Sequence, residues 1–353
     1  MVSLSEHTVT YGANNSKSIF YYATGPLSGP LIIFLHGWPA LAKTWLPQLN
    51  AFSALGFRCV APDMPGYGRS TVTKNTEDYS QEAIVEGLVA LLADTGRDQA
   101  VWIGHDWGSA TVWSFAAHHP DKCIAVAGLT VPYRTVEAGV DEAIKYANRA
   151  VYPVDKYPDA QWSYIRHYMQ DFEKAVKFQD DNVASFTKIV FSKTTNFKPE
   201  TPAFTSTVLQ DGGWFSGVDQ LPPADQIPDP LLSPELLTEV TSAMEKGGYF
   251  APGAYYYNND NNKAYNALEN VKPTLEFPVL FIEARFDDVA ETVVSRLADP
   301  MRRYCKNLTE ASIASGHWVQ IEKPTETNAA IARWLATEVA TFWPGAWRNT
   351  SLK

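Results

Sequence analysis

The residues whose types and spacing are best suited to catalysis lie at positions 101–109, Val-Trp-Ile-Gly-His-Asp-Trp-Gly-Ser. They indicate a short apolar strand, a Gly-x-Asp-x-Gly turn and a helix that begins near Trp107. A sharp turn from strand to helix exposes its central side chain, as in the nucleophile elbow that carries a serine in G-x-S-x-G. Here the central residue is Asp106, and Gly104 and Gly108 allow strand and helix to approach closely around it.

The carboxylate at this turn determines which reactions are open to the chain. A serine that attacks a saturated carbon leaves an ether, whereas a carboxylate leaves an ester that water can hydrolyse. The motif therefore indicates substitution at sp³ carbon, such as the opening of an epoxide or the displacement of a halide. Asp106 could instead only cap the helix that follows. The five-residue pattern alone leaves these two interpretations about evenly balanced.

The composition disfavours several classes of partner. The 353 residues are 45% apolar and carry a net charge of −10 without a long block of like charge, so we expect no nucleic acid and no anionic membrane as partner. Three cysteines without metal or redox spacing suit a reducing compartment and predict a cytoplasmic protein. No signal peptide is visible, and no apolar stretch approaches the ~20 residues that span a bilayer.

Alternating strand and helix patterns predict the fold class. A β-hairpin is expected over residues 6–24, and continuous apolar runs predict buried strands at residues 31–35, 57–61, 101–105, 124–129, 277–284 and 308–313. Helical patterns between these runs predict an α/β fold with a mostly parallel central sheet flanked by helices. Ligands bind at the carboxyl ends of such strands, and His36, Asp63 and Asp106 each stand at such an end.

The predicted secondary structure changes partway along the chain. From residue 133 to 272 strand patterns disappear, and 11 of the 17 tyrosines fall in this stretch. Helices are expected there near residues 137–150, 160–177, 181–192, 233–246 and 260–268, with a long loop over 210–230. We interpret residues 133–272 as a helical lid inserted between two core segments, 1–132 and 273–353.

A carboxylate nucleophile also needs a base for the hydrolytic water and donors for the oxyanion. After a nucleophile elbow the expected order is nucleophile, acid, histidine. Asp287 or Asp288 follows the seventh strand and can orient a histidine, and His317 follows the eighth. His36 and His105 are expected to be structural, because each lies at a buried strand end.

Four motifs together resemble the epoxide hydrolase branch of the α/β-hydrolase fold. They are residues 36–39 (His-Gly-Trp-Pro), 62–68 (Pro-Asp-Met-Pro-Gly-Tyr-Gly), 104–108 (Gly-His-Asp-Trp-Gly) and 316–318 (Gly-His-Trp). The likeness covers nearly the whole chain. It implies that Asp106 is the nucleophile, Asp287 the relay acid and His317 the base.

The resemblance also implies the oxyanion donors and the absence of a cofactor. Backbone N–H groups after the His-Gly pair and after the nucleophile form the oxyanion hole in this family, here those of Trp38 and Trp107. The Trp38–Pro39 bond is expected to be cis. No metal and no organic cofactor is implied.

In the family that the chain resembles, two tyrosines of the lid act as acids. Residues 164–170 (Tyr-Ile-Arg-His-Tyr-Met-Gln) are similar to the first tyrosine motif, which gives this role to Tyr164. Asp-Phe replaces the family's Pro-Gly after that motif, which leaves Tyr168 as a rival. Residues 253–259 (Gly-Ala-Tyr-Tyr-Tyr-Asn-Asn) are similar to the second motif and favour Tyr257, with Tyr256 as its rival.

The resemblance thus predicts an epoxide hydrolase that turns a small-molecule epoxide into a vicinal diol through an Asp-ester intermediate. A haloalkane or haloacid dehalogenase on the same scaffold is the nearest alternative. Against it, Trp38 stands where haloalkane dehalogenases usually carry Asn, and the tyrosine pair would have no task. A non-catalytic receptor of this fold is a further alternative, and monomer and homodimer both stay open.

Overall fold

The computed structural model describes residues 3–194, 197–269 and 271–345. Its strands are β1 (Ser5–Tyr11), β2 (Lys17–Thr24), β3 (Leu31–Leu35), β4 (Arg58–Pro62), β5 (Ala100–His105), β6 (Cys123–Leu129), β7 (Leu275–Ala284) and β8 (Cys305–Ile313). Within the described residues they form one sheet in the order β1-β2-β4-β3-β5-β6-β7-β8. Only β2 runs antiparallel to its neighbours β1 and β4 in that sheet. The predicted α/β-hydrolase fold with a mostly parallel sheet is confirmed.

Helices cover both faces of this sheet. They are α1 (Leu46–Ala54), α2 (Gln81–Asp94), α3 (Trp107–His118), α4 (Val140–Ile144), α5 (Ser163–Gln170), α6 (Phe172–Asp181), α7 (Val183–Val190), α8 (Trp214–Gly217), α9 (Pro234–Gly247), α10 (Phe250–Tyr257), α11 (Asn259–Asn266), α12 (Asp299–Tyr304), α13 (Val319–Glu322) and α14 (Pro324–Thr337). Helices α2 and α3 pack on one face, and α1 and α14 on the other.

The central strands are apolar throughout because both of their faces are covered. Every residue of β3 and β5 is buried. Successive side chains of a strand point to opposite faces, so Trp102 packs with the α2–α3 cluster while Ile103 packs with the α1–α14 cluster. This burial on both faces explains the continuous apolar runs from which the strands were predicted.

The chain between β6 and β7, residues 130–274, is the insertion. In the part that the structure describes, it contains α4 to α11 and no strand. Most of its buried apolar side chains, including Tyr164 and Tyr256, belong to the same apolar cluster as α2 and α3. The predicted lid, residues 133–272, falls within the insertion. Its division from the core stays a prediction, and residues 1–2 and 346–353 of the predicted core segments lie outside the described residues.

Two helical predictions in the insertion were inaccurate. The helix expected over residues 137–150 is only a 3₁₀ turn (Val136–Ala138) followed by α4, because Gly139 between them has a φ of 98°. Helix α10 was not predicted, since Pro252 and Gly253 in its sequence usually argue against a helix. Pro252 lies in the first turn of α10, where a missing N–H costs little.

A helix that spans a membrane must be both long and apolar, and this requirement can be applied to the described helices. None of them is both long enough and apolar enough to cross a bilayer.

Candidate active site

Asp106 occupies the turn between β5 and α3 with a φ of 55° and a ψ of −122°. A positive φ is uncommon for a residue other than glycine and indicates strain at a functional position. A Cβ on Gly104 would lie 2.2 Å from the Gly108 carbonyl oxygen, and a Cβ on Gly108 would lie 2.1 Å from the Leu35 carbonyl oxygen. The two glycines are therefore required for the close contact of strand and helix that presents the Asp106 side chain.

Two backbone donors converge on the Asp106 carboxylate. The Trp38 N–H donates a hydrogen bond of 2.7 Å to Asp106 Oδ1, and the Trp107 N–H also donates to this carboxylate. The Trp38–Pro39 bond is cis, as the resemblance implied. The donors therefore lie where they can hold one oxygen of a tetrahedral centre formed at the Asp106 carboxyl carbon.

His317 connects two carboxylates. Its Nδ1 lies 2.8 Å from Asp287 Oδ2, and its Nε2 lies 3.6 Å from Asp106 Oδ2. The other oxygen of Asp287 accepts hydrogen bonds from the N–H groups of Val289 at 2.9 Å and Ala290 at 3.1 Å. Asp287, and not Asp288, therefore orients the imidazole, and backbone donors fix the Asp287 side chain in turn.

Electrostatic interactions favour the charged form of His317 despite its burial. Burial opposes the protonated form of His317, but the negative charges of Asp287 and Asp106 overcome it and raise the pKa of His317 to about 9. Burial raises the pKa of Asp106, an effect that the His317 charge and the two backbone donors oppose. Near neutral pH the imidazole is consequently protonated while both carboxylates face it.

Two further histidines at strand ends are structural, as predicted. The Nε2 of His36 accepts a hydrogen bond of 2.9 Å from the Met64 N–H, and its Nδ1 lies 2.9 Å from the Gly37 carbonyl oxygen. The Nε2 of His105 lies 2.8 Å from the His317 carbonyl oxygen. Burial lowers the pKa of both His36 and His105, so both stay neutral and brace the loops around the site.

Tyr164 from α5 and Tyr256 from α10 line the same cavity as Asp106. Their rings meet edge to face with centroids 5.3 Å apart. Burial, together with the charge of Asp106, raises the pKa of each hydroxyl well above 10. Both phenols are therefore protonated at neutral pH and available as hydrogen-bond donors.

The prediction that Tyr257 partners Tyr164 is wrong about placement. The Tyr257 side chain is 43% exposed and packs on Phe172, with ring centroids 4.9 Å apart, outside the cavity that contains Asp106. One residue along a helix corresponds to a rotation of about 100°. Tyr255 and Tyr256 are both buried, but the Tyr255 hydroxyl donates a hydrogen bond of 2.8 Å to the Pro65 carbonyl oxygen, whereas Tyr256 lines the cavity.

Tyr168, the alternative to Tyr164, contacts other residues. The Tyr168 hydroxyl accepts a hydrogen bond from the Gln179 side-chain amide, and its ring stacks on Tyr256 with centroids 4.8 Å apart. Tyr168 does not line the cavity that contains Asp106. The structure therefore brings Tyr164 to Asp106 and leaves Tyr168 as a supporting residue behind Tyr256.

The cavity that contains Asp106 has a volume of about 220 Å³. Besides the residues already named, it is lined by aromatic side chains at positions 38, 204, 214, 215 and 318 and by Asp288 and Thr205. A smaller cavity of about 20 Å³ also touches Asp106, Tyr164 and Tyr256. The sequence did not indicate Trp214 as a wall residue, although an aromatic pair after Gly212-Gly213 in a polar loop is a usable signal.

The chain is similar in sequence to several known proteins. A family model described as the alpha/beta hydrolase fold matches residues 30–195. The "Bifunctional epoxide hydrolase 2" of Sus scrofa is 31% identical over 88% of this chain and 52% of its own length. "Epoxide hydrolase A" of Mycobacterium tuberculosis is 28% identical over 88% of this chain and 92% of its own.

A solved structure extends the similarity to three dimensions. The crystal structure of epoxide hydrolase A from Mycobacterium thermoresistibile matches 95% of this chain and 99% of its own with a TM-score of 0.74 and 28% identity. The chain spans about half the length of the bifunctional relatives that it matches. It has the α/β-hydrolase fold, and it is similar to epoxide hydrolases over most of its length.

Proposed function

We propose that the protein is an epoxide hydrolase that opens an oxirane to a vicinal diol through an ester on Asp106. The observation that carries this proposal is that Tyr164 and Tyr256, both protonated at neutral pH, line one cavity with the Asp106 carboxylate. An alkoxide is a poor leaving group and needs a proton donor, which phenols supply. A halide needs no acid, so the tyrosine pair favours an epoxide over a haloalkane.

In the first step an Asp106 oxygen attacks one oxirane carbon and the carbon–oxygen bond of the ring breaks. Tyr164 and Tyr256 hydrogen-bond to the ring oxygen, and one of them transfers its proton to the departing alkoxide. The strained backbone at Asp106 presents the attacking oxygen to the cavity. The product of this step is a hydroxyalkyl ester of Asp106.

In the second step His317 activates a water that attacks the ester carbonyl carbon. Esterification removes the negative charge of Asp106, which is one of the causes of the raised His317 pKa, so that pKa falls and the imidazole becomes a better base. The N–H groups of Trp38 and Trp107 stabilise the tetrahedral oxyanion. Collapse breaks the ester bond, and the departing diol oxygen takes the proton of the new Asp106 carboxyl group, which returns to its carboxylate form. The proton that the imidazole gives up before it acts as base restores the tyrosine hydroxyl, so the two steps balance with no metal or organic cofactor required.

Residues 133–272 act as a lid in this mechanism. They contribute Tyr164, Tyr256 and Trp214 to the cavity wall and so exclude bulk water from the alkylation step. A cytoplasmic location suits the protein, because Cys59, Cys123 and Cys305 are free and buried. The partner in this proposal is a small-molecule epoxide.

A product assay with two substrate classes tests the proposal. The purified protein is incubated with a panel of epoxides and a panel of haloalkanes, and diol and halide release are measured. We expect diols from epoxides and no halide above the Asp106→Ala background. Halide release would instead indicate a dehalogenase, and turnover of neither panel would favour a receptor.

An isotope experiment tests the covalent step. In a single turnover in ¹⁸O-labelled water, the label should enter the Asp106 carboxylate, because water attacks the ester carbonyl. The first diol should then carry an unlabelled oxygen from the enzyme. Label in that first diol would mean that water attacks the oxirane directly.

A further inference from the structure

The proposed mechanism gives no role to one carboxylate of the cavity wall. Asp288 follows Asp287 directly and lines the cavity. Burial, with the neighbouring Asp287 charge, raises the pKa of Asp288 to about 6, so this carboxylate is largely ionised at neutral pH. The wall thus carries a negative charge beyond those of Asp106 and Asp287.

In the described cavity wall, His317 is the one positively charged side chain that offsets this charge, and it lowers the pKa of Asp288 by less than burial and Asp287 raise it. Among the described residues that line the cavity there is no lysine and no arginine. The one imidazole in the wall, His317, already faces Asp106 and Asp287 at 3.6 and 2.8 Å. An anionic ligand would therefore lose its hydration in this cavity without gaining a free counter-charge.

A second polar group of the wall also lacks a partner within the protein. The Thr205 side chain is 1% exposed, lines the cavity, and its hydroxyl makes no hydrogen bond. Thr205 lies in the 3₁₀ turn Phe204–Thr207. Asp288 and Thr205 line the same cavity. Burial, and after it the charge of Asp288, raises the pKa of Tyr152, whose hydroxyl accepts a hydrogen bond of 3.1 Å from the Ala203 N–H. Buried polar groups are normally satisfied, so a ligand hydroxyl suits this end of the cavity.

We propose that Asp288 makes the site select substrates by their charge. The site takes compact, uncharged epoxides that carry a hydrogen-bond donor and excludes epoxides that carry a carboxylate. This inference rests on the proposed function. Asp288 accepts a hydrogen bond from the donor, and Thr205 lies in the same wall. The aromatic side chains of Trp38, Trp214 and Trp318 contact the apolar part of the substrate. A volume of about 220 Å³ is below the ordinary range for ligand cavities, which begins at about 300 Å³, and limits the substrate to aryl or short alkyl epoxides.

Two substrates of nearly equal size test this selectivity. Styrene oxide with a 4-hydroxymethyl group is neutral and carries a donor, and styrene oxide with a 4-carboxylate is anionic. Like charges roughly 8 Å apart at an effective dielectric of about 20 reduce binding by about 30-fold. We expect the wild type to favour the neutral substrate in kcat/KM by at least this factor.

The variant Asp288→Asn should lower that ratio by about tenfold or more, because the amide removes the charge and keeps the shape. The ratio cancels any change in the orientation of His317, since such a change affects both substrates alike. Asp288→Ser serves as a second variant if the first folds poorly. Asp225→Asn is the matched control: Asp225 is exposed on the insertion, and its loss should leave the ratio unchanged.

A binding measurement separates this inference from the proposed function. The two corresponding diols are titrated against each variant, and the fluorescence of the tryptophans in the cavity wall reports binding. Suppose that epoxides are hydrolysed, but that in both assays the Asp288→Asn variant prefers the neutral compound over the anionic one by a ratio within about twofold of the wild-type ratio. The role of Asp288 is then overturned, while the proposed function stands. If no epoxide is hydrolysed but the variant shifts the binding ratio, the proposed function fails and the selectivity of the cavity stands.

Discussion

The strand ends of the sheet and the insertion hold their site residues by different means. At the strand ends the main chain does the positioning: Asp106 receives the N–H groups of Trp38 and Trp107, and Asp287 receives those of Val289 and Ala290. In the insertion, side-chain packing does it. The Tyr256 ring stacks on Tyr168 at 4.8 Å, and the Tyr164 ring lies 5.5 Å from that of Trp214. Side chains positioned by backbone groups are held by atoms that every residue carries, whereas the position of those held by packing depends on the neighbouring side chains.

The largest effect is expected from removal of the nucleophile at the strand ends. Asp106→Ala should reduce turnover by about 10⁴-fold or more, because no other group can form the ester. The circular dichroism spectrum and melting temperature should stay close to those of the wild type, since the role of Asp106 is covalent and not packing. Substantial residual turnover in a folded variant would remove Asp106 from the mechanism.

The second prediction concerns the base at the strand ends. His317→Gln should slow ester hydrolysis by about 10²- to 10⁴-fold and leave alkylation less affected, because only the second step needs a base. Intact-protein mass spectrometry should then show an adduct equal to one substrate on Asp106. If alkylation slows as much as hydrolysis and no adduct forms, His317 has another role.

The third prediction tests the insertion. Tyr164→Phe and Tyr256→Phe should each slow alkylation at a cost of about 2–4 kcal/mol, by analogy with loss of one oxyanion donor. Pre-steady-state measurement should show ester hydrolysis nearly unchanged, because that step uses groups of the core. The double variant should lose much more, since the alkoxide then leaves without any donor.

Tyr257→Phe is the matched control for these variants. It removes a hydroxyl one residue away in the same helix, but one that lies outside the cavity. Alkylation should therefore stay within about twofold of the wild type, as for a surface substitution of small effect. A large loss here with little loss in Tyr256→Phe would restore the original sequence-based alignment and contradict the placement of Tyr256.

The contrast explains how much the sequence could predict. The fold class, the elbow at Asp106 and the order of Asp106, Asp287 and His317 follow from short motifs, because glycines and strand ends leave a recognisable pattern. The choice of Asp287 over Asp288 was not decided by that pattern. It depends on which carboxylate receives the N–H groups after β7, and adjacent identical residues carry no signal for this.

The insertion was less predictable for a related physical reason. Three tyrosines in a row, 255–257, differ only in their rotation about the axis of α10, and that rotation depends on tertiary packing. Similarly, Gly139 interrupted a helical pattern that periodicity alone favoured. The cavity wall at Trp214 and Asp288 could not be predicted in detail, because segments distant in sequence meet there.

The smallest expected effect is the dependence of stability on pH. The pKa of His317 is raised to about 9, from about 6.5 for an unperturbed histidine. The folded protein thus binds this proton more tightly than the unfolded chain does. The resulting stabilisation is complete below about pH 6.5 and is lost as the pH rises through about 9, so the free energy of unfolding should fall by about 1–2 kcal/mol between about pH 7.5 and 9.

The change of the free energy of unfolding with pH should differ between variants at the strand ends and variants in the insertion. Asp287→Asn removes a negative charge that raises the His317 pKa, so its stability should change less between pH 7.5 and 9 than that of the wild type. Tyr164→Phe and Tyr256→Phe should keep the wild-type slope, because the pKa of each hydroxyl lies well above 10 in the native protein. Urea unfolding at the two pH values measures the difference, and other titrating groups cancel between variants. An equal slope in Asp287→Asn would mean that His317 is not held protonated by its carboxylate, and a flattened slope in a tyrosine variant would mean that the insertion also contributes to the charge balance of the core.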